Sequence, residues 1–291
     1  MRRNRRSPCL FGMSLVTIVF SMALRVEAQT TPAPSPTPKA SPTPSLEKEF
    51  FKNVLGDQKA IWTAPLHLER GDMKWAIPYS IGVMSLFTTD RITGDEIAES
   101  DRQVAASRAI SYAGSAYGFA AVAGGFYLIG RATHNSRARE TGILSAEAAI
   151  DGLIVSAALK GVTQRTRPQT GSERSEFFDG GNSFPSGHSV QAWSMATIVA
   201  NEYHDHRLVQ VTAYALASAV SISRFTGGRH YISDVLVGSS LGFGIGRYVY
   251  RTHHRDASSD DDSTKITRWP VITPEYDRHG HQYGVGLKWS W

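Results

Sequence analysis

Cysteine is nearly missing from this chain of 291 residues: its one thiol is Cys9. That residue lies in a stretch that reads as an export signal. Arg2, Arg3, Arg5 and Arg6 precede an uncharged run from Leu10 to Leu24, and Val26 and Ala28 take the −3 and −1 positions of a cleavage site before Gln29. The run is about 15 residues, short of the roughly 20 needed to cross a bilayer, so cleavage is expected rather than an uncleaved anchor. The remaining chain then has no thiol, no disulfide and no cysteine metal site, and its stability has to come from packing.

Net charge is scarce too. The formal charge is +5, but residues 1–28 hold five arginines and one glutamate, leaving 26 basic against 25 acidic side chains. The high pI therefore gives no support to a nucleic-acid partner, and none is expected. No internal repeat of 20–50 residues is found, which excludes a solenoid or propeller. Period-2 alternation is almost absent before residue 266, which excludes a sheet-built domain.

What is present is a sizeable apolar content, 41% of residues, enough for a buried core. Residues 29–45 form a Pro-rich linker in which alternate prolines deny helix and sheet and favour an extended polyproline II course. A helical domain is expected over residues 46–255. Apolar periodicity predicts helices at Leu46–Leu55, Trp75–Thr88, Ile97–Ser115, Thr141–Leu159, Gly187–Tyr203, Leu208–Ser223 and Ser233–Tyr250. The uncharged run Ala109–Gly130 is long enough to span a bilayer. Most other helices are shorter or carry charge, and the mean hydropathy is −0.24, so a soluble exported domain is preferred over an integral membrane protein. Residues 256–265 read as an acidic linker, since its aspartates lack the glycine and distal glutamate of a calcium loop. In residues 266–291, Tyr283, Val285, Leu287, Trp289 and Trp291 alternate with small or polar residues, predicting a short C-terminal β-hairpin packed on the helices.

Three stretches carry chemistry. Lys160 and Arg167 are seven residues apart, two turns on one face if the helix continues through Arg165, and Pro168 ends it. A guanidinium at such a fixed point forks onto two phosphate oxygens, although cations at a helix C-terminus also arise simply from the helix dipole. Pro185-Ser186-Gly187-His188 opens a helix, where unpaired N–H groups cradle an anion and Gly187 admits close approach. Ser186 adds a hydroxyl, and His188 stands where a general acid protonates a leaving oxygen. In Ser223 to Asp234, a glycine pair precedes His230, and Asp234 follows at i+4 on the same helical face. A carboxylate there accepts a hydrogen bond from one ring nitrogen and frees the other to attack phosphorus. Arg224 supplies a further charge. Spacing alone leaves open which histidine attacks.

Taken together, Lys-x6-Arg-Pro, Pro-Ser-Gly-His and Ser-Arg-x5-His-x3-Asp resemble the three-part signature of the type 2 phosphatidic acid phosphatase/vanadium haloperoxidase superfamily, intact and in order from Lys160 to Asp234. The resemblance implies an all-α bundle. It implies phosphate binding by Lys160, Arg167, Ser186, Gly187 and Arg224, with His188 as acid, His230 as nucleophile and Asp234 as its partner. The expected activity is that of a metal-independent phosphatase acting on a phosphorylated small molecule, a lipid phosphate or a lipid pyrophosphate. No cofactor is expected, although vanadate fits the phosphate site. The alternatives are a vanadate-dependent haloperoxidase, whose relatives are generally longer chains with extra helices, and a non-catalytic envelope attachment protein. The expected location is periplasmic or in the cell envelope, with association to a membrane surface, or else integral in the membrane with an extracytoplasmic site. The linkers and the hairpin lie outside the resemblance.

Overall fold

Apolar faces at helical period produce a bundle of helices. A computed structural model describes residues 46–96, 101–168, 175–254, 271–277 and 282–288. The expected signal (1–28), Pro-rich linker (29–45) and acidic linker (256–265) lie outside the described residues. Among the described residues the helices are α1 (Leu46–Thr63), α2 (Met73–Glu96), α3 (Asp101–Ala113), α4 (Ala116–Ala132), α5 (Ser136–Thr163), α6 (Gly187–Glu202), α7 (Arg207–Thr226) and α8 (Ile232–His253). A 3₁₀ turn, Ala64–His67, follows α1. The expected run Ala109–Gly130 is not one helix. It breaks at Gly114-Ser115, and Ser115 caps α4 by accepting a hydrogen bond from the Gly118 N–H.

Helix α6 sits at the centre. One face joins α4 and α7 through Phe126, Met195, Val199, Tyr203, Ala217 and Val220. The other joins α5 and α8 through Leu144, Val155, Val190, Ile198, Ile245 and Val249. Contact between α6 and α8 depends on glycine. A Cβ at Gly238, Gly242 or Gly246 would lie 2.7, 2.2 or 2.4 Å from the carbonyl oxygens of Ser186, Val190 and Ser194. Spaced four apart, these glycines form a flat stripe that lets two backbones touch. The start of α8 is thereby held against the start of α6.

Three stretches are long and apolar enough to cross a membrane: Arg102–Ala132, Ser136–Thr163 and Arg207–Thr226, with 24%, 56% and 33% of their most apolar windows buried in the fold. Large apolar side chains therefore point outward, among them Tyr117, Leu128, Leu153, Leu208, Val211 and Ile222.

Residues 255–291 form a separate unit. Within it Val271–Asp277 (β1) and Gln282–Lys288 (β2) run antiparallel, Val271 opposite Lys288 and Asp277 opposite Gln282. Two isolated strands are marginal in water unless a face is packed. The expected hairpin is thus not supported as part of the fold, whose class is that of the helices alone.

Candidate active site

The site is built where four helices end together: the C-termini of α5 and α7 and the N-termini of α6 and α8. Helix α5 does not continue through Arg165. It stops at Thr163 because Gln164 adopts the left-handed conformation, φ 44°, and Pro168 is not what ends it. Lys160 and Arg167 consequently do not share a helical face. They meet on Asn182 instead: Lys160 Nζ donates to its carbonyl oxygen at 2.6 Å, and Arg167 Nε donates to its side-chain Oδ1 at 2.8 Å.

Ser186 is the N-cap of α6, and its side chain makes no capping bond. Its N–H donates to the carbonyl of Asp234 at 3.0 Å, and its Oγ accepts from Ser189 Oγ at 3.0 Å. The Ser186 hydroxyl proton is therefore available to an incoming oxygen. A Cβ on Gly187 would stand 3.8 Å from Lys160 Cε, so the glycine keeps open the space between that ammonium and the first turn of α6. His188 occupies the same turn, where the leading N–H groups have no helical partner.

His230 is buried, 2% exposed. Its Nδ1 lies 2.8 Å from the carbonyl oxygen of Ser183 and 3.6 Å from Asp234 Oδ2. A carbonyl can only accept, so Nδ1 carries the proton and Nε2 keeps its lone pair. The hydrogen bond expected from Asp234 is instead made by the Ser183 carbonyl, because 3.6 Å exceeds hydrogen-bond reach. Asp234 has other duties. Its carboxylate accepts from Ser183 Oγ at 2.5 Å, from the Tyr231 N–H at 3.0 Å and from Arg165 Nη1 at 2.6 Å.

Arg165 anchors this arrangement. Fully buried, it pairs with Asp234 and, through Nη2 at 2.8 Å, with Asp90 of α2. Nη1 also donates to Ser233 Oγ at 2.7 Å. Its guanidinium lies 4.4–5.0 Å from the ring centres of Tyr231, Phe177 and Phe87, a desolvated setting that favours a delocalised cation.

The electrostatics follow from burial first and from the crowding of positive charge second. Burial, then Arg224, His230, Lys160 and Arg167, push the His188 imidazole down to about 3. Burial pushes His230 down to about 4, partly offset by the Asp234 carboxylate. Both rings are neutral at pH 7. Burial alone would raise the Asp234 carboxyl, but His230, Arg165 and Ser183 outweigh it and hold it below its ordinary value. Burial and the nearby Arg229 lower Arg167. Beside Arg224 opens a cleft of about 230 Å³ lined in part by Ser107, Arg108, Ser111 and Arg229.

The residues singled out in the sequence all stand at this end of the bundle. Sequence reasoning missed four others: Asn182, Ser183, Arg165 and Asp90. Arg165 sat between the two cations in the first stretch, and its burial was the sign unavailable in sequence. Asp90 lies 70 residues before the first stretch on a helix that also carries Arg91, Asp95 and Glu96, so nothing local marked it.

These residues coincide with a known family. Residues 141–257 match the family model described as the PAP2 superfamily. Lipid A 1-phosphatase of Porphyromonas gingivalis is 40% identical over 70 residues, 24% of this chain and 16% of that protein. The match spans about a sixth of the length of that curated relative. Among solved structures, the first transmembrane PAP2-type phosphatidylglycerolphosphate phosphatase from Bacillus subtilis is similar at TM-score 0.45 and 22% identity, over 70% of this chain and 94% of that one. Aquifex aeolicus LpxE is similar at TM-score 0.44 and 19% identity, over 58% of this chain and 94% of that one. The matched residues 141–257 hold every phosphate-site residue expected from the sequence, and over them the chain is similar to the PAP2 superfamily.

Proposed function

We propose that the protein is a phosphatase that removes phosphate from a lipid phosphate ester through a phosphohistidine at His230. The observation that carries this reading is the His230 ring: buried, neutral at pH 7, and held by the Ser183 carbonyl at 2.8 Å so that the lone pair is on Nε2. Lys160, Arg167 and Arg224 supply the charge that the equatorial oxygens of a transferring phosphoryl group require. Ser186 Oγ and the leading N–H groups of α6 supply hydrogen bonds.

In the first step Nε2 attacks phosphorus, an N–P bond forms and the ester P–O bond breaks. The leaving oxygen takes a proton from His188. In the second, His188, now neutral, accepts a proton from water as that water attacks phosphorus. The N–P bond breaks, and phosphate and free His230 are released. Asp234, already ionised, lies near the ring and balances the positive charge it acquires. His188 must be protonated for the first step, yet burial and the cations around it keep it neutral in the free enzyme. A bound phosphate anion offsets those cations, so substrate binding raises its proton affinity.

The lipid assignment is supported by the outward apolar faces of Arg102–Ala132, Ser136–Thr163 and Arg207–Thr226, which fit a bilayer better than water. They weigh against the soluble domain preferred from sequence. With Ser136–Thr163 and Arg207–Thr226 across a membrane, the site lies at one surface, level with lipid headgroups. The P. gingivalis relative named lipid A 1-phosphatase agrees with a lipid substrate. With an export signal at residues 1–28, that surface is the extracytoplasmic one.

The test is turnover of phosphatidic acid in mixed micelles against p-nitrophenyl phosphate, with His230→Ala as the inactive control. Preference for the lipid and a radiolabelled phosphoenzyme lost in His230→Ala are expected. A label mapping to another residue, or full turnover by His230→Ala, overturns the mechanism.

A further inference from the structure

Far from the phosphate site, a second group of titratable side chains converges inside the helical unit. Glu147 lies thirteen residues before Lys160 on α5, roughly 20 Å along the helix at 1.5 Å per residue. It meets Asp57 of α1 and His253, the last residue of α8, and one ligand-capable atom from each lies within 4.8 Å of the others. His253 Nε2 stands 2.8 and 3.1 Å from the two Asp57 oxygens and 3.1 Å from Glu147 Oε1.

Glu147 is 0% exposed; beyond the ionic contact of His253 Nε2 with Oε1, neither of its oxygens makes a well-formed hydrogen bond. Asp151, one turn along α5, is equally buried. Gln58 Nε2 donates to its Oδ1 at 2.8 Å, and its Oδ2 has no partner. Among the described residues no lysine or arginine forms an ion pair with any of these three carboxylates. Were all three carboxyls ionised, facing one imidazole in an apolar stretch, they would leave an excess of buried negative charge that only a cation could balance.

The geometry points to a binding site for a first-row divalent cation, zinc or manganese, formed by Asp57, Glu147 and His253, with Asp151 available as a further oxygen ligand. Ligands at about 2.0–2.2 Å from such an ion are separated from one another by roughly 3 Å, the spacing seen around His253 Nε2. An imidazole with carboxylates suits zinc or manganese better than calcium, which takes six to eight oxygens. The ion cross-links α1 to the middle of α5 and the end of α8 and stabilises the helical unit without taking part in phosphate transfer. The adjacent group Glu140, Glu202 and His254 differs in having Arg137 beside it, donating Nε to the Glu202 carbonyl at 2.8 Å, and no buried oxygen there lacks a partner.

The test uses the full chain in detergent, stripped with chelator, incubated with ZnCl₂ or MnCl₂, desalted and assayed for bound metal by mass spectrometry and for Tm. One equivalent of metal and a raised Tm are expected. Bound metal should fall at least tenfold in Glu147→Gln and His253→Gln and stay at one equivalent in His254→Gln and His230→Ala. Less than a tenth of an equivalent in the parent protein, or loss in His254→Gln in place of His253→Gln, overturns the proposal. If the site variants do not fold, Co²⁺ substitution of the parent decides: visible absorption typical of a nitrogen–oxygen site supports it, and its absence refutes it. Because His230→Ala is inactive yet retains metal, failure here is separable from failure of the phosphatase reading.

Discussion

Arg165→Met is the most informative perturbation of the site's framework. The substitution keeps much of the side-chain volume between Phe87, Phe177 and Tyr231 but removes the cation shared by Asp90 and Asp234. All three residues are fully buried, so solvent cannot take over. Breaking a buried ion pair from one side costs about 3–5 kcal/mol, because a charge is left uncompensated. Against a total stability of about 5–15 kcal/mol, a fifth or more of the whole is at stake. Chemical denaturation of the purified protein in detergent micelles measures the loss. Adding Asp90→Asn removes one of the orphaned carboxylates, and the double variant should recover at least about 1 kcal/mol relative to Arg165→Met, as expected for coupled neighbours. A loss below about 1 kcal/mol, or a double variant no more stable than the single one, would refute the idea that Arg165 anchors the site through charge.

Ser183→Ala deletes the hydroxyl donor to Asp234 but keeps the carbonyl that holds His230. Denaturation should show a loss of roughly 1.5–3 kcal/mol, the range for a hydrogen bond to a charged group, with measurable turnover retained; complete inactivity would contradict the assignment of the ring to the carbonyl. Gly242→Ala places a Cβ 2.2 Å from the Val190 carbonyl oxygen, so α8 must shift away from α6, and a lowered Tm with a lowered kcat is expected; an unchanged Tm would show that the contact is not close. The pH dependence of stability carries a sign. His230 has its proton affinity lowered by folding, to about 4 from an ordinary 6.5, so between those values the unfolded chain binds a proton that the native chain does not. Stability therefore falls as pH drops from about 6.5 to about 4, by an amount approaching 3 kcal/mol at about 1.4 kcal/mol per unit. His230→Gln should flatten that part of the profile, and a profile of the same slope in the variant would be inconsistent with a buried neutral ring.

The two levels of description divide along physical lines. Helices were legible because burial leaves its mark every three to four residues, but their ends moved, by eight residues at the C-termini of α1 and α2 and by fewer where capping decided the matter, as at Ser115 and Gln164. The hairpin was inferred from alternation alone, which reports a half-buried face without naming what covers it. The preference for a soluble domain used the charges within helices as evidence against a bilayer. In the fold Glu147 and Asp151 are turned inward on α5 while Leu153 and Ile154 face out, and sequence period does not tell those two arrangements apart.

The amino-acid sequence by itself determined the helical class and named the candidate site residues, because both are read from local spacing: helical period for the first, three short motifs for the second. Tertiary structure alone decided how that set is held. Asn182 joins Lys160 and Arg167, the Ser183 carbonyl sets the His230 tautomer, and Arg165 links Asp234 to Asp90 across 69 and 75 residues of chain. The meeting of Asp57, Glu147 and His253 likewise spans most of the helical unit. Such contacts depend on which helix ends coincide in space, and no pattern local to the chain carries that information.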